Sequence, residues 1–214
     1  MLITIRQTRP TDFAETENVI REAFWNVFKP GTDVHWATHL VREWDSYIPQ
    51  LDFVALDGEK LVGNVVSRKA TIAGDNGKRY VTVRLGPLAV LPEYQRQGIG
   101  RRLIEQTIET AREMKFRSIM LLGDPDYYLK RGFKPAEHFN IRNAKDFYAA
   151  RLHAFELRKG ALVSGRYLNR SKYKFDAEQF RLFDSRFPVK ELLYDTPEQK
   201  RRAEINAMQR KYEG

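Results

Sequence analysis

Apolar and polar positions change their period along the chain, and each change marks an element. Leu2-Ile3-Thr4-Ile5-Arg6 alternates, so residues 2–7 read as a half-buried strand. Thr11-Asp12-Phe13-Ala14-Glu15 reads as a helix start, with Asp12 as cap and a carboxylate three residues on. That helix sets Phe13, Val19 or Ile20, Ala23 and Val27 near one face and stops at Pro30-Gly31; a second helix is expected over 34–45. Asp52 to Leu56 reads as a short strand, turned by Asp57-Gly58 into a long one, Leu61 to Ile72. The cluster Gly74-Asp75-Asn76-Gly77 then leads to a strand from Tyr80 to Val90. In 101–115, Leu103, Ile104, Thr107, Ile108, Ala111 and Met114 recur at helical spacing. Ser118 to Leu122 is continuously apolar, as a strand covered on both faces is. Asp124 to Arg131 reads as a short helix closed by Gly132, and strands are expected near 138–142, 151–158 and 161–168. These elements make an α/β (α+β) domain with one mixed sheet over residues 1–174. Residues 175–214 form an aromatic-rich extension whose last helix has Thr196 as cap and Pro197 as first residue.

Composition narrows the class. Of 214 residues, 42% are apolar, including 13 Phe, 10 Tyr and 3 Trp, too many for a chain that stays unfolded. No apolar run approaches the roughly 20 residues of a membrane-spanning helix. The absence of cysteine excludes disulfides, thiolate metal sites and cysteine nucleophiles. The first residues lack the regions of a secretory signal, so a cytoplasmic location is expected. The net charge is +9, and residues 1–94 hold 11 basic against 12 acidic groups, so the excess begins at Gln95. An anionic ligand for the later part fits that distribution. Nucleic acid ranks last as a partner, because no aromatic-basic reader motif accompanies the charge.

The chemistry concentrates in Leu88-Ala89-Val90-Leu91-Pro92-Glu93-Tyr94-Gln95-Arg96-Gln97-Gly98-Ile99-Gly100-Arg101-Arg102, which runs strand, turn, helix. The first helical N–H groups have no internal partner and favour negative charge, and Gly98 and Gly100 leave room for a ligand against the backbone. A pyrophosphate fits there, with Arg96, Arg101 and Arg102 as nearby cations. A nucleotide-triphosphate loop needs Lys and then Ser or Thr where Arg101-Arg102 stands, and a dinucleotide fingerprint needs a small residue where Leu103 stands. Upstream, Pro87 cannot donate to a ladder, so Gly86-Pro87 reads as a bulge or splay that frees backbone groups of Leu88 and Val90 for the amides of an extended arm.

Gln95-x-x-Gly98-x-Gly100, preceded by Leu88-Ala89-Val90 and followed by Tyr128-Leu129-Lys130-Arg131-Gly132-Phe133, resembles the GNAT superfamily of acetyl-coenzyme A-dependent N-acetyltransferases. Gly86-Pro87-Leu88-Ala89-Val90 with Gly123-Asp124-Pro125 and Tyr127-Tyr128 is similar to a bacterial subgroup of predicted acetyltransferases. The resemblance extends to about residue 170. It implies a mixed, mostly antiparallel central sheet with helices on both faces and a splayed strand pair. It also implies acetyl-CoA as donor, with Leu88, Ala89, Val90, Gln95, Arg96, Gln97, Gly98, Ile99, Gly100 and Arg101 as coenzyme contacts. Asp124 stands near a position where many members have an Asn touching the pantetheine.

Tyr128, four residues before Gly132, matches the family's tyrosine acid. A phenol with a reference pKa of about 10 keeps its proton at neutral pH and can pass it to a leaving thiolate. Tyr127 reads as packing. The general base stays open among a water chain, Asp33, Glu43, Asp45 and His138, since Arg84-Leu85-Gly86 stands where many members place a glutamate. The family's first two helices wall the acceptor site. Here they bring Asp33, Trp36, Glu43 and Asp45, with Trp44 and Tyr47, so a small-molecule or peptidyl amine is the expected acceptor. A non-catalytic acyl-CoA-binding or sensor module of the same fold is the alternative. His35, His39 and Glu43, at i, i+4 and i+8, read as a polar helix face rather than a metal site. Phe175, Phe180, Phe183 and Phe187 read as core or homodimer packing, and Lys200-Arg201-Arg202 as a solvated face.

Overall fold

The computed structural model describes residues 2–169 and 175–213, so the boundary expected at 174 lies outside the described residues. Strands β1 (Ile3–Gln7), β2 (Phe53–Asp57), β3 (Lys60–Gly74) and β4 (Arg79–Val90) form an antiparallel meander. Strand β5 (Ser118–Leu122) joins β4 in parallel, because helix α3 (Ile99–Glu113) carries the chain back across the sheet. Beyond β5 lie β9 (Leu152–Glu156) and β6 (Lys134–Pro135), both antiparallel. The far half of β3 takes β10 (Gly165–Leu168), which pairs in turn with β7 (Ile141–Arg142). The sheet is therefore mixed and mostly antiparallel. Leu61 to Arg68 is buried at every position, so both faces of the sheet are covered there.

Helices α1 (Phe13–Phe24) and α2 (Val34–Val41) precede the meander. α3 buries Leu103, Ile104, Thr107, Ile108 and Ala111 against it, the leucine and the two isoleucines contributing about 1.5–3 kcal/mol each. Met114, expected on that face, is exposed because the helix ends at Glu113 and Lys115 turns left-handed. α2 is shorter than expected, since turns replace helix after Val41. Asp12 does not cap α1. Its carboxylate accepts from Arg9 N–H at 2.7 Å and pairs with Arg6 at 2.6 Å, so it closes the single 3-10 turn ahead of the helix.

The last described segment wraps the body. α5 (Ala177–Asp184) places Asp184 against Arg21 and His35, both at 2.8 Å. Phe183 packs on the His35, Trp36 and His39 rings. α6 (Pro197–Ala207) starts with Thr196 accepting from Gln199 N–H, as expected, and is followed by a strand, β11 (Gln209–Lys211), that pairs with β8 (Phe147–Ala149).

His35, His39 and Glu43 do not form the expected polar face. His35 is fully buried, and burial pushes its pKa down to about 4. His39 bonds Glu17 at 2.7 Å. His138 sits on a 3-10 turn rather than a strand.

Candidate active site

Two sequence features open the sheet at its centre. Val65 pairs with Leu88 and Ser67 with Leu85, so β4 carries one extra residue opposite β3, at the cis Gly86-Pro87 bond. On the other side, β4 meets β5 only through Val83–Ile119 and Arg84–Met120. Beyond Arg84 the two strands part, leaving the β5-facing edge of Leu88–Val90 without a strand partner among the described residues. A cavity of about 1170 Å³ occupies the opening.

The cavity runs from the open strand edge to the start of α3. Gly98, at φ +84°, is the N-cap, and Arg102 N–H to the Gly98 carbonyl, 3.1 Å, is the first closed turn. The N–H groups of Ile99, Gly100 and Arg101 precede that bond and point out of the helix start. A Cβ on Gly100 would come within 2.5 Å of the Tyr127 hydroxyl, so this glycine lets the short helix α4 (Pro125–Tyr128) approach α3. A strand-like edge with free amide partners, continuous with a helix start, fits an extended acyl-carrier arm ending in a diphosphate.

Leu88, Val90, Gln95, Arg96, Gly98, Ile99, Gly100, Arg101, Asp124 and Tyr128 all line the cavity, as does Asp33. Ala89 turns its side chain into the core, leaving only backbone at the edge. Gln95 and Gln97 spend their side-chain amides on the Val90 and Glu93 carbonyls, both at 3.0 Å, and so brace the loop. Arg101 pairs with Glu105 at 2.7 Å. Trp36 is buried against Phe183, and neither it nor Glu43 nor Asp45 reaches the cavity wall; Trp44 does.

Tyr128, at the end of α4, lines the same cavity as Leu88. Its ring meets Tyr127 edge-on at 5.0 Å and Phe133 at 5.7 Å, and a Cβ on Gly123 would overlap it. Its hydroxyl has no hydrogen-bond partner among the described residues, and burial pushes the phenol's pKa well above the ordinary value. Behind it, the buried His153 donates Nδ1–H to the Arg151 carbonyl at 2.9 Å, leaving Nε2 without a partner. Burial lowers the pKa of this imidazole.

The expected solvated Lys200-Arg201-Arg202 face holds for Lys200, which is exposed, but Arg202 lines the cavity and both arginines turn to Asp124. Arg201 and Arg202 reach Asp124 at 2.7 and 3.3 Å, while Asp124 also caps α4 by accepting from Asp126 N–H. Burial pushes the Asp124 pKa up, but the Arg201 bond and its companions hold it below the usual range. The acidic acceptor wall expected from α1 and α2 is absent as a free charge. Glu22 is tied to Lys190 at 2.5 Å and Asp33 to Lys29 at 2.9 Å. Arginines dominate the wall: Arg68, Arg84, Arg131 and Arg151 all line it. Sequence reasoning missed them. A signal existed, since Arg68 follows the apolar Val65-Val66 and Arg84 stands between Val83 and Leu85 in strand-like runs.

The model of the acetyltransferase (GNAT) family matches residues 19–133. YjhQ of Escherichia coli K12, described as an uncharacterized N-acetyltransferase, is 34% identical over 116 residues, covering 54% of this chain and 63% of that protein. The matched region thus spans under two thirds of that relative's length. The crystal structure of E. coli YhbS in complex with CoA is similar at a TM-score of 0.68 and 26% identity, covering 77% of this chain and 88% of the other. A Brucella melitensis acetyltransferase solved with acetyl-CoA has a TM-score of 0.64 and 24% identity, over 79% and 97% of the two chains, a likeness of fold alone.

Proposed function

This chain belongs to the acetyltransferase (GNAT) family, and we propose that it transfers an acetyl group from acetyl-CoA to a primary amine within a ternary complex. One observation carries the reading. The open edge of Leu88–Val90, the free N–H groups at the start of α3 and the unpartnered Tyr128 hydroxyl line one continuous cavity.

Bound acetyl-CoA supplies an activated acyl carbon and a thiolate leaving group. The backbone of Leu88 and Val90 aligns the arm as an added strand would, and the α3 start holds the diphosphate with Arg96 beside it. Such a grip would spend binding energy far from the reacting carbon and bring the thioester end of the arm to the part of the cavity that Tyr128 lines. Tyr128 keeps its proton, because desolvation disfavours the phenolate, and would donate it to the sulfur as the C–N bond forms and the C–S bond breaks, while the proton shed by the attacking nitrogen returns through solvent to the phenolate. The four wall carboxylates Glu22, Asp33, Asp124 and Glu198 are all committed to Lys or Arg partners. The amine therefore attacks as its free base, and turnover rises with pH toward the amine's own pKa.

The test is thiol release from acetyl-CoA across a panel of primary amines, with acetylated product identified by mass. Amine-dependent release supports transfer. Tight coenzyme binding without amine-dependent release would favour a non-catalytic acyl-CoA sensor.

A further inference from the structure

Among the described residues, the cavity wall holds two arginines, Arg84 and Arg151, whose charge no carboxylate pairs. Arg68 on β3 and Arg84 on β4 stand directly opposite one another in register, and Arg151, just before β9, joins them on the cavity wall. Arg84 donates to the Leu85 carbonyl at 2.7 Å and Arg151 to Asn206 Oδ1; neither forms an ion pair among the described residues. Arg68 is buried and lies over the Trp44 ring at 5.5 Å. Burial, and next the charge of Arg84, lower the proton affinity of both Arg68 and Arg151. Cations held together in a partly desolvated cavity cost stability unless an anion offsets them.

This charge is separate from the diphosphate pocket. The Arg84 guanidinium donates to the Leu85 carbonyl at 2.7 Å and stands 3.5 Å from where a Cβ on Gly86 would lie, so it sits at the β4 bulge rather than at the start of α3. It is close enough to the Tyr128 phenol for its charge to act there.

We infer that the acetyl acceptor is an amine that also bears an oxyanion, a carboxylate or a phosphoryl group, gripped by Arg84 and Arg151 with Arg68 alongside. The guanidinium fork matches either group bidentately. The inference rests on the acetyl-transfer reading of the same cavity and names its substrate class.

Matched amines test it: phosphoethanolamine against ethanolamine, and β-alanine against β-alanine amide. Thiol release and calorimetric titration into CoA-saturated protein are measured for each. The anionic member of at least one pair should have a kcat/KM and an affinity tenfold or more above its neutral partner. The pair that shows the gap separates phosphoryl from carboxylate recognition. Arg84→Gln and Arg151→Gln should collapse that ratio at least fivefold, and Arg84→Lys should retain part of it. CoA affinity reports that each variant is folded. Turnover without preference for an anionic member overturns the oxyanion site while transfer stands. Selective anion binding without thiol release keeps the site and overturns transfer. No binding and no release by any member overturns both.

Discussion

Replacing Tyr128 with Phe isolates one hydroxyl. The ring is fixed by Tyr127 at 5.0 Å, by Phe133 at 5.7 Å and by the bare backbone of Gly123, and Phe retains all three contacts. The lost hydroxyl has no protein partner among the described residues, so no donor or acceptor is orphaned. Stability should change by less than about 1 kcal/mol. Coenzyme affinity should stay within twofold, since the arm and diphosphate are held by β4 and α3. Turnover should fall. General acid catalysis contributes roughly 10²–10⁴-fold, and a leaving thiol with a reference pKa of about 8.5 needs less help than an alkoxide. The expected loss is therefore near the low end, about 10²-fold in kcat, or about 2.7 kcal/mol. Stopped-time thiol release at saturating acetyl-CoA gives kcat, calorimetry gives the coenzyme Kd, and thermal melting gives stability. A variant that turns over within twofold of the wild type refutes the acid role. A loss of kcat that tracks a loss of coenzyme binding refutes it too, by making Tyr128 a packing residue.

Gly123→Ala should push the Tyr128 ring aside, lowering kcat at least tenfold and stability by about 1–3 kcal/mol as an overpacked site does; wild-type turnover and an unshifted urea midpoint would contradict the packing. His35, with a pKa near 4 in the fold and about 6.5 when unfolded, stays neutral in the folded chain while the unfolded chain takes up a proton. Its contribution is therefore intact above about pH 6.5 and is lost as pH falls toward 4, on the order of 3 kcal/mol in all, and His35→Gln should flatten that part of the melting-temperature profile. Asp124→Ala removes the cap of α4 and the anchor of Arg201 and Arg202, and denaturant titration should show a loss of about 1–3 kcal/mol; a loss under about 0.5 kcal/mol would mean α6 is held elsewhere.

Local periodicity carried most of the architecture. The β2–β3–β4 meander, the amphipathic α3, the apolar β5 and the capped α6 are each written in a short window of residues, with one dominant signal apiece. The glycine turn was legible for the same reason, since the chemistry of a helix start depends on adjacent residues. What escaped depends on residues far apart in sequence. Asp124 lies 77 positions from Arg201, and nothing local in Lys200-Arg201-Arg202 distinguishes a solvated face from a clamp. Trp36 reads as a site residue and His35 as part of a polar helix face because α5, almost 150 positions later, is what covers them. Arg68 and Arg84 belong to neighbouring strands, and only the sheet register sets them side by side. Asp33 reads as a free acceptor carboxylate, yet Lys29, four residues before it, pairs with it at 2.9 Å.

The central claim is that one cavity grips a coenzyme by its diphosphate at the start of α3 and by its arm along β4. Calorimetric titration of the wild-type protein with CoA and with pantetheine, which keeps the arm and lacks the diphosphate, tests it most directly. CoA should bind at one site per chain, and pantetheine at least tenfold more weakly. No heat from CoA, or equal affinity for the two, would contradict the account.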